Sequence, residues 1–388
     1  MQWAWRIPFL GSVVLFGISM WLRLRLKESP IFAEMKAASK GARRPIREAF
    51  GNWRQLRTAI LLTFGVNTAI GVIAYTSEFY TQFFMGRTLG IDPVTINWIM
   101  LPSLLLSIPS YIVFGWLTDK LGRKPVFVAG TLLAALTLQP AFRLMTHLGN
   151  EALEQAQRNA QVVVHADPAT CSVQFNPVSA AQLTSPCDIA KGYLAGRMIS
   201  YENEALPPGS MAAIRIGSTT LPAFDARGLS PTDFQARSKQ FDASVKQALA
   251  ENGYPLAADP AKVNRAALIV LMTYLLSLLG MIYTPAGAWM TELFPTRIRY
   301  TAISLPYNIG AGWVGGFMPS VAFAMVAANG GVYFGLWYPV TALAIAVVIS
   351  ALCLPETKNR ALDAPIGQKV PSLSCAEQGA HAKADQYL

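Results

Sequence analysis

Four polar residues fall on one face of a long apolar run: Asn67, Tyr75, Glu78 and Gln82, with Gly71 between the first two. Their spacings place them in a single stripe at 3.6 residues per turn. A polar stripe on an otherwise apolar span faces a cavity or a neighbouring helix. Glu78 is the one carboxylate inside such a run. It is placed either to take up and release a proton or to sit as an interfacial carboxylate at a membrane surface. Tyr274, Tyr307 and Asn308, on other apolar runs, are further candidates for a polar pathway. His147, His165 and His381 all lie outside the apolar runs, so neither a histidine metal site nor a histidine proton relay is expected there. The chain has no G-x-S-x-G, H-E-x-x-H or P-loop, so no enzyme, metal or cofactor is expected.

The elements that must position these residues are read from hydropathy. Of 388 residues, 53% are apolar and 14% charged, well below the charge content of a soluble domain. About 20 apolar residues cross about 30 Å of hydrocarbon. Seven runs meet that length: 6–24, 57–82, 94–117, 125–145, 266–290, 302–327 and 332–354. In the first run the positive charges Arg23, Arg25 and Lys27 follow the apolar stretch, which argues for a span and against a cleaved signal. The expected class is therefore an all-α integral membrane protein with seven transmembrane helices.

Lys and Arg concentrate on alternate connections: 25–56, 120–124, 297–299 and the tail 355–388. The positive-inside rule makes that side cytoplasmic, with the N-terminus outside and the C-terminus inside. The net charge of +10 is accounted for by this side alone. No nucleic-acid partner is then needed, and attraction to the lipid bilayer follows. Residues 148–265 break the apolar pattern and are expected outside, as a small α+β periplasmic insertion. Gln161–His165, Ser172–Phe175 and Ala213–Gly217 read as strands. Ser230-Pro231 opens a helix that Gly253 ends, with Phe234, Phe241, Val245 and Leu249 at helical spacing. Cys171 and Cys187 lie in this outer segment, where thiols pair, so a disulfide is expected.

The most specific motif is Gly115-Trp116-Leu117-Thr118-Asp119-Lys120-Leu121-Gly122-Arg123-Lys124-Pro125. It reads as a tight turn between antiparallel helices. Gly115 allows close helix approach, and Asp119 accepts N–H groups from a neighbouring helix start. Gly122 takes the unusual backbone angles, Lys120, Arg123 and Lys124 face the inner surface, and Pro125 opens the next helix. In the run 302–327, Gly312 and Gly316 form a GxxxG pair expected to carry close helix contact. Gly310–Gly315 also fits G-x-G-x-x-G, but no strand precedes it, so no dinucleotide site is expected.

The loop 115–125 resembles the signature loop of the major facilitator superfamily, G-x-x-x-D-[RK]-x-G-[RK]-[RK]. Leu22–Phe32, Glu292–Tyr300 and Pro355–Arg360 are similar to segments of its metabolite:proton symporter family, the group of proline/betaine, dicarboxylate and shikimate transporters. The resemblance implies helices six to twelve: helix six at 1–24, a cytoplasmic central loop at 25–56, helices seven to nine at 57–147, the insertion at 148–265, helices ten to twelve at 266–354 and a cytoplasmic tail at 355–388. It implies the C-terminal six-helix half plus one preceding helix, in the inner membrane, with an N-terminal half missing. It implies proton-coupled symport of a small organic acid or zwitterion by alternating access, and it places Glu292 near the motif loop, where it can pair with Arg123 or remain a solvated surface carboxylate. A seven-span receptor with the insertion as its sensing module, and a non-functional truncated remnant, are the alternatives.

Overall fold

The computed structural model describes residues 6–25, 44–172, 184–255 and 257–358. Most of the central loop 25–56, most of the expected strand Ser172–Phe175 and the tail beyond Lys358 lie outside the described residues. Six described helices are long and apolar enough to cross a membrane. They are α3 (Trp53–Thr88), α4 (Pro93–Leu121), α5 (Arg123–Gly149), α9 (Arg265–Glu292), α10 (Arg299–Asn329) and α11 (Phe334–Cys353). The first expected span is also helical, as α1 (Arg6–Arg25), but stands outside that set of six, and its apolar side chains are exposed along its length. A short helix, α2 (Pro45–Phe50), precedes α3.

The helix starts follow from local chemistry. Asp92 caps α4 by accepting the Thr95 N–H at 2.9 Å, with Pro93 in the first turn. Asn264 caps α9 through the Ala267 N–H at 3.1 Å. These side chains satisfy donors that the first helical turn leaves free. Helix α9 packs on α4 and α5, α5 packs on α11, and α3 packs on α10 and α11. Trp289, Tyr80, Phe84, Phe127 and Phe142 are fully buried between them.

The closest approach is between α3 and α10, and here an expectation is corrected. A Cβ on Gly71 would lie 2.5 Å from Ala311 Cα, and one on Gly315 would lie 2.6 Å from Gly71 Cα. A Cβ on Gly310 would meet Thr63 O at 2.6 Å. Gly312 faces open space instead, and Gly316 meets only its own helix and the Tyr75 hydroxyl. The contact is thus made by Gly310 and Gly315, not by Gly312 and Gly316. The cause is a π-helical stretch, Asn308–Gly315, whose i→i+5 turns bring residues five apart onto one face. Helix α3 holds three such stretches, Thr63–Asn67, Tyr75–Tyr80 and Phe84–Thr88. Thr68 and Thr81 bond the carbonyls of Thr63 and Thr76, five residues back, at 2.9 and 2.8 Å.

Between α5 and α9 the chain builds a separate α/β unit. It comprises α6 (Glu151–Asn159), β1 (Val162–Ala166), α7 (Pro186–Gly196), β2 (Glu202–Ala205), β3 (Ala213–Ile216), β4 (Thr219–Pro222) and α8 (Pro231–Glu251). The sheet order is β2-β1-β3-β4, with β1 parallel to β2 and antiparallel to β3. Cys171 and Cys187 are joined, their Cα atoms 5.2 Å apart, within the usual range for a bridge. The unit is tied to one end of the bundle. The Tyr201 N–H donates to Gly330 O at 2.9 Å, Asn203 Nδ2 to Asn329 O at 2.8 Å, and the Ala258 N–H to Gly90 O at 3.0 Å. The Tyr201 hydroxyl also bonds Ala327 O. The basic connections gather at the opposite end.

Candidate functional site

At that opposite end, α4 ends at Leu121 and α5 begins at Arg123, with Gly122 between them at φ +111°. Only glycine adopts that conformation without strain. A side chain here would also collide with a carboxylate, because a Cβ would lie 2.6 Å from Glu356 Oε2. Glu356 accepts the backbone N–H groups of Arg123 at 3.1 Å and Lys124 at 2.9 Å. It therefore caps α5 from the far end of the chain and sets a negative charge against the positive helix terminus. Asp119 does not take this role as expected: its side chain is 77% exposed and meets Arg123 Nη1 at 3.4 Å. Gly115 makes only an ordinary contact, 3.5 Å to Thr284 Cγ2, rather than a close helix approach.

Arg123 sits at the centre of the cluster. Its Nη2 lies 3.3 Å from Glu292 Oε1, and both side chains are largely buried, at 17% and 14% exposure. The Thr357 hydroxyl bonds the other Glu292 oxygen. Lys124 Nζ donates to Leu354 O at 2.8 Å, and Lys358 Nζ to Lys120 O at 2.5 Å. The Lys120 ammonium lies over the Trp116 ring, 4.2 Å from its centre. Trp289 Nε1 donates to Pro355 O at 2.9 Å. The α4–α5 turn, the end of α9 and the segment after α11 are thus tied together by charge and hydrogen bonds. Glu356 and Thr357 escaped assignment because nothing in local spacing links a residue after the last span to one before the fourth.

The α3 stripe forms a second group. Asn67 is fully buried at the α10 contact, and neither of its side-chain polar atoms has a hydrogen-bond partner. Tyr75 is half-buried and stacked on Phe79, with ring centres 5.3 Å apart. Glu78 is half-buried and Gln82 is exposed. Glu78 and Tyr283 are each within electrostatic reach of Tyr111, and Tyr75 and Tyr283 of Tyr307. Tyr111 joins this group although a tyrosine in an apolar run reads simply as core. Tyr274 is not brought to it: its hydroxyl bonds Thr137 Oγ1 on α5 at 2.8 Å. Asn308 donates to Ser304 O within α10 at 2.8 Å. Among the described residues no cluster of His, Cys, Asp and Glu could hold a metal ion.

Residues 71–149 match the family model described as Major Facilitator Superfamily, and residues 249–364 match that described as Sugar (and other) transporter. A candidate proline/betaine transporter of Staphylococcus haemolyticus is 32% identical over 146 residues, covering 37% of this chain and 30% of that protein. The alpha-ketoglutarate permease of Escherichia coli is 28% identical over 38% of this chain and 33% of its own length. The shikimate transporter of the same organism is 28% identical over 37% and 32%. The chain thus spans about a third of the length of the curated relatives it matches. No solved structure matches it. The turn 115–125 falls inside the stretch that matches the Major Facilitator Superfamily model, and the Glu292 end of α9 and Glu356 fall inside the stretch that matches the Sugar (and other) transporter model.

Proposed function

We propose that the chain forms one six-helix lobe of a proton-coupled symporter for a small organic acid or zwitterion, working by alternating access against a second lobe. The observation that carries this reading is Arg123, held between Asp119 on its own turn and Glu292 on another helix end. Such a pairing survives in only one relative arrangement of α4, α5 and α9. It therefore biases a two-state equilibrium by its differential free energy. In this reading Gly115, Asp119, Lys120, Gly122, Arg123, Lys124 and Glu292 form the gate, on the cytoplasmic side, with the α/β unit on the periplasmic side. Asn67, Tyr75, Gln82 and Tyr307 line the substrate path, and Glu78 carries the proton. The exposed apolar flank of α1, which corresponds to helix six of the family, is then covered by the second lobe. The names of the relatives supply the substrate class: proline, betaine, alpha-ketoglutarate and shikimate.

The test is counterflow in proteoliposomes with both lobes present, using a panel of labelled organic acids and betaines. Uptake driven by an imposed proton gradient, and its loss in Glu78→Gln with counterflow retained, is the expected outcome. Full gradient-driven uptake by Glu78→Gln removes the proton role from that residue. Saturable binding without flux favours the receptor reading, which the tight seating of the α/β unit on the ends of α3 and α10 also supports.

A further inference from the structure

We propose that the cavity between α5 and the α10–α11 connection binds the phosphodiester headgroup of an anionic phospholipid, in the leaflet nearer the α/β unit. The cavity measures about 490 Å³, and its lining includes Gln139, Arg143, Asn329, Tyr333 and Trp337. Arg143 is the one charged residue among those lining it. It is exposed, and among the described residues it has no carboxylate partner within ion-pair distance. Its guanidinium carbon lies 5.7 Å from the centre of the Tyr333 ring. That ring is held in place, because the Tyr333 hydroxyl bonds Thr146 Oγ1 at 2.7 Å and Gln139 Nε2 bonds Tyr333 O at 3.2 Å. Trp337 is half-exposed at the cavity and adds an indole N–H donor.

Position selects the ligand. Helix α5 has 27 residues, about 40 Å at the helical rise, so each end passes about 5 Å beyond the hydrocarbon core. Arg143 lies six residues before the end of α5, about 9 Å in, from where its long side chain reaches the headgroup layer. Tyr333 and Trp337 are the aromatic types that collect at that depth. Farther along the same two helices the exposed side chains are apolar: Leu132 and Leu136 on α5, Ile345 and Val348 on α11. A guanidinium and an indole N–H above an apolar flank match a phosphate with acyl chains attached. A transported solute is a poorer fit, since Asn67, Tyr75 and Glu78 all lie on α3 and do not line this cavity. The inference rests on membrane embedding and not on the proposed symport, so lipid binding and uptake succeed or fail separately.

The test is native mass spectrometry of the delipidated full chain in detergent, titrated with phosphatidylglycerol or phosphatidylcholine. One phosphatidylglycerol is expected to bind at least about tenfold more tightly than phosphatidylcholine. Arg143→Ala is expected to weaken it about tenfold and Arg143→Lys to restore most of the loss. Equal binding of the two lipids, or undiminished phosphatidylglycerol binding by Arg143→Ala, overturns the proposal. Displacement of the lipid by millimolar glycerol 3-phosphate also overturns it, because the site would then be one for soluble phosphate. Cross-linking of wild-type protein with a headgroup-photoactivatable phosphatidylglycerol is independent of any variant's folding. Labels are expected within 139–143 and 329–337, and labels elsewhere alone overturn the proposal.

Discussion

Glu356 and Arg123 are 233 positions apart in the chain, yet the Glu356 carboxylate accepts the Arg123 backbone N–H at 3.1 Å. The same carboxylate takes the N–H groups of Lys124, Thr357 and Lys358, at 2.9, 2.8 and 2.8 Å. One side chain therefore closes the start of α5 and folds back the segment that follows α11. Glu356→Gln keeps an oxygen but loses the charge and half of the acceptor capacity. It is expected to lower stability by about 1 kcal/mol, read as a drop in the thermal unfolding midpoint in detergent. Gly122→Ala is expected to cost more, since it adds strain at positive φ to a collision with the same carboxylate.

The Arg123–Glu292 pair differs from surface ion pairs in being largely buried. Among the described residues, removing Glu292 leaves the largely buried Arg123 with only the exposed Asp119 as an ion-pair partner, and removing Arg123 leaves Glu292 with only the Thr357 hydroxyl, which costs more than the pair contributes. A double-mutant cycle with Arg123→Ala and Glu292→Ala is expected to give a coupling energy of about 1–2 kcal/mol in thermal unfolding. The pair Arg123–Asp119, with Asp119 exposed, is expected to give less than about 0.5 kcal/mol. Equal coupling in the two cycles would remove the distinction drawn between them.

The long charge-free runs announced α4, α9, α10 and α11, because a run of that length has few fates other than a membrane span. The turn at Gly122 was legible for a similar reason: glycine between two helical runs has a local conformational cause. What sequence could not give was the partner of each end. Glu356 lies too far along the chain for spacing to place it at Arg123. The glycine contact falls on a different face from the GxxxG pair because Asn308–Gly315 winds with i→i+5 turns, which a glycine spacing of four does not reveal. In the α/β unit the strand pattern at 161–165 and 213–217 and the Ser230 cap were readable. Strands β2 and β4 were not, being four residues long and largely exposed, with no alternation of apolar side chains.

The bridge between Cys171 and Cys187 closes a loop of 16 positions. Constraining the unfolded chain over such a loop stabilises by about 3 kcal/mol on the chain-entropy account. Substituting both cysteines by alanine is expected to lower the unfolding midpoint and to speed proteolysis within 148–265, with the helical bundle cut at its former rate. Reductant added to the wild-type protein should reproduce the change. Unaltered proteolysis would show that the helices and sheet hold the unit without the bridge.

Tyr254 gives the α/β unit an alkaline limit. Burial pushes its phenol up to about 12 from the ordinary 10.0, and its O–H donates to Ala160 O at 2.8 Å. The folded protein keeps this proton to higher pH than the unfolded chain. Between about pH 10 and 12 unfolding therefore releases a proton, and stability falls as pH rises; below about pH 10 the contribution is fully present. The loss is expected to reach about 2 kcal/mol by pH 12. Tyr193 and Tyr201, whose phenols burial also raises, add to the same slope. Tyr254→Phe should flatten part of it in a pH series of thermal unfolding, and an unchanged slope would exclude this tyrosine as a source.

In the proposed substrate path, Asn67 sets stability against uptake. It is fully buried where α3 meets α10, with neither Oδ1 nor Nδ2 bonded in the structure. An unsatisfied buried amide costs about 1–3 kcal/mol, and such groups persist mainly where function requires them. The neighbouring Gly310 leaves no room for a larger side chain, since a Cβ there would lie 2.7 Å from Asn67 Cβ. Asn67→Ala removes the amide at the expense of a small void. The unfolding midpoint is expected to hold or rise, with a net gain of up to about 1 kcal/mol. Uptake by the two-lobe protein is expected to fall at least about tenfold, since an amide that bonds substrate leaves that partner unsatisfied when removed. A lower midpoint with full uptake would make Asn67 a packing residue and move the substrate path to Tyr75 and Tyr307.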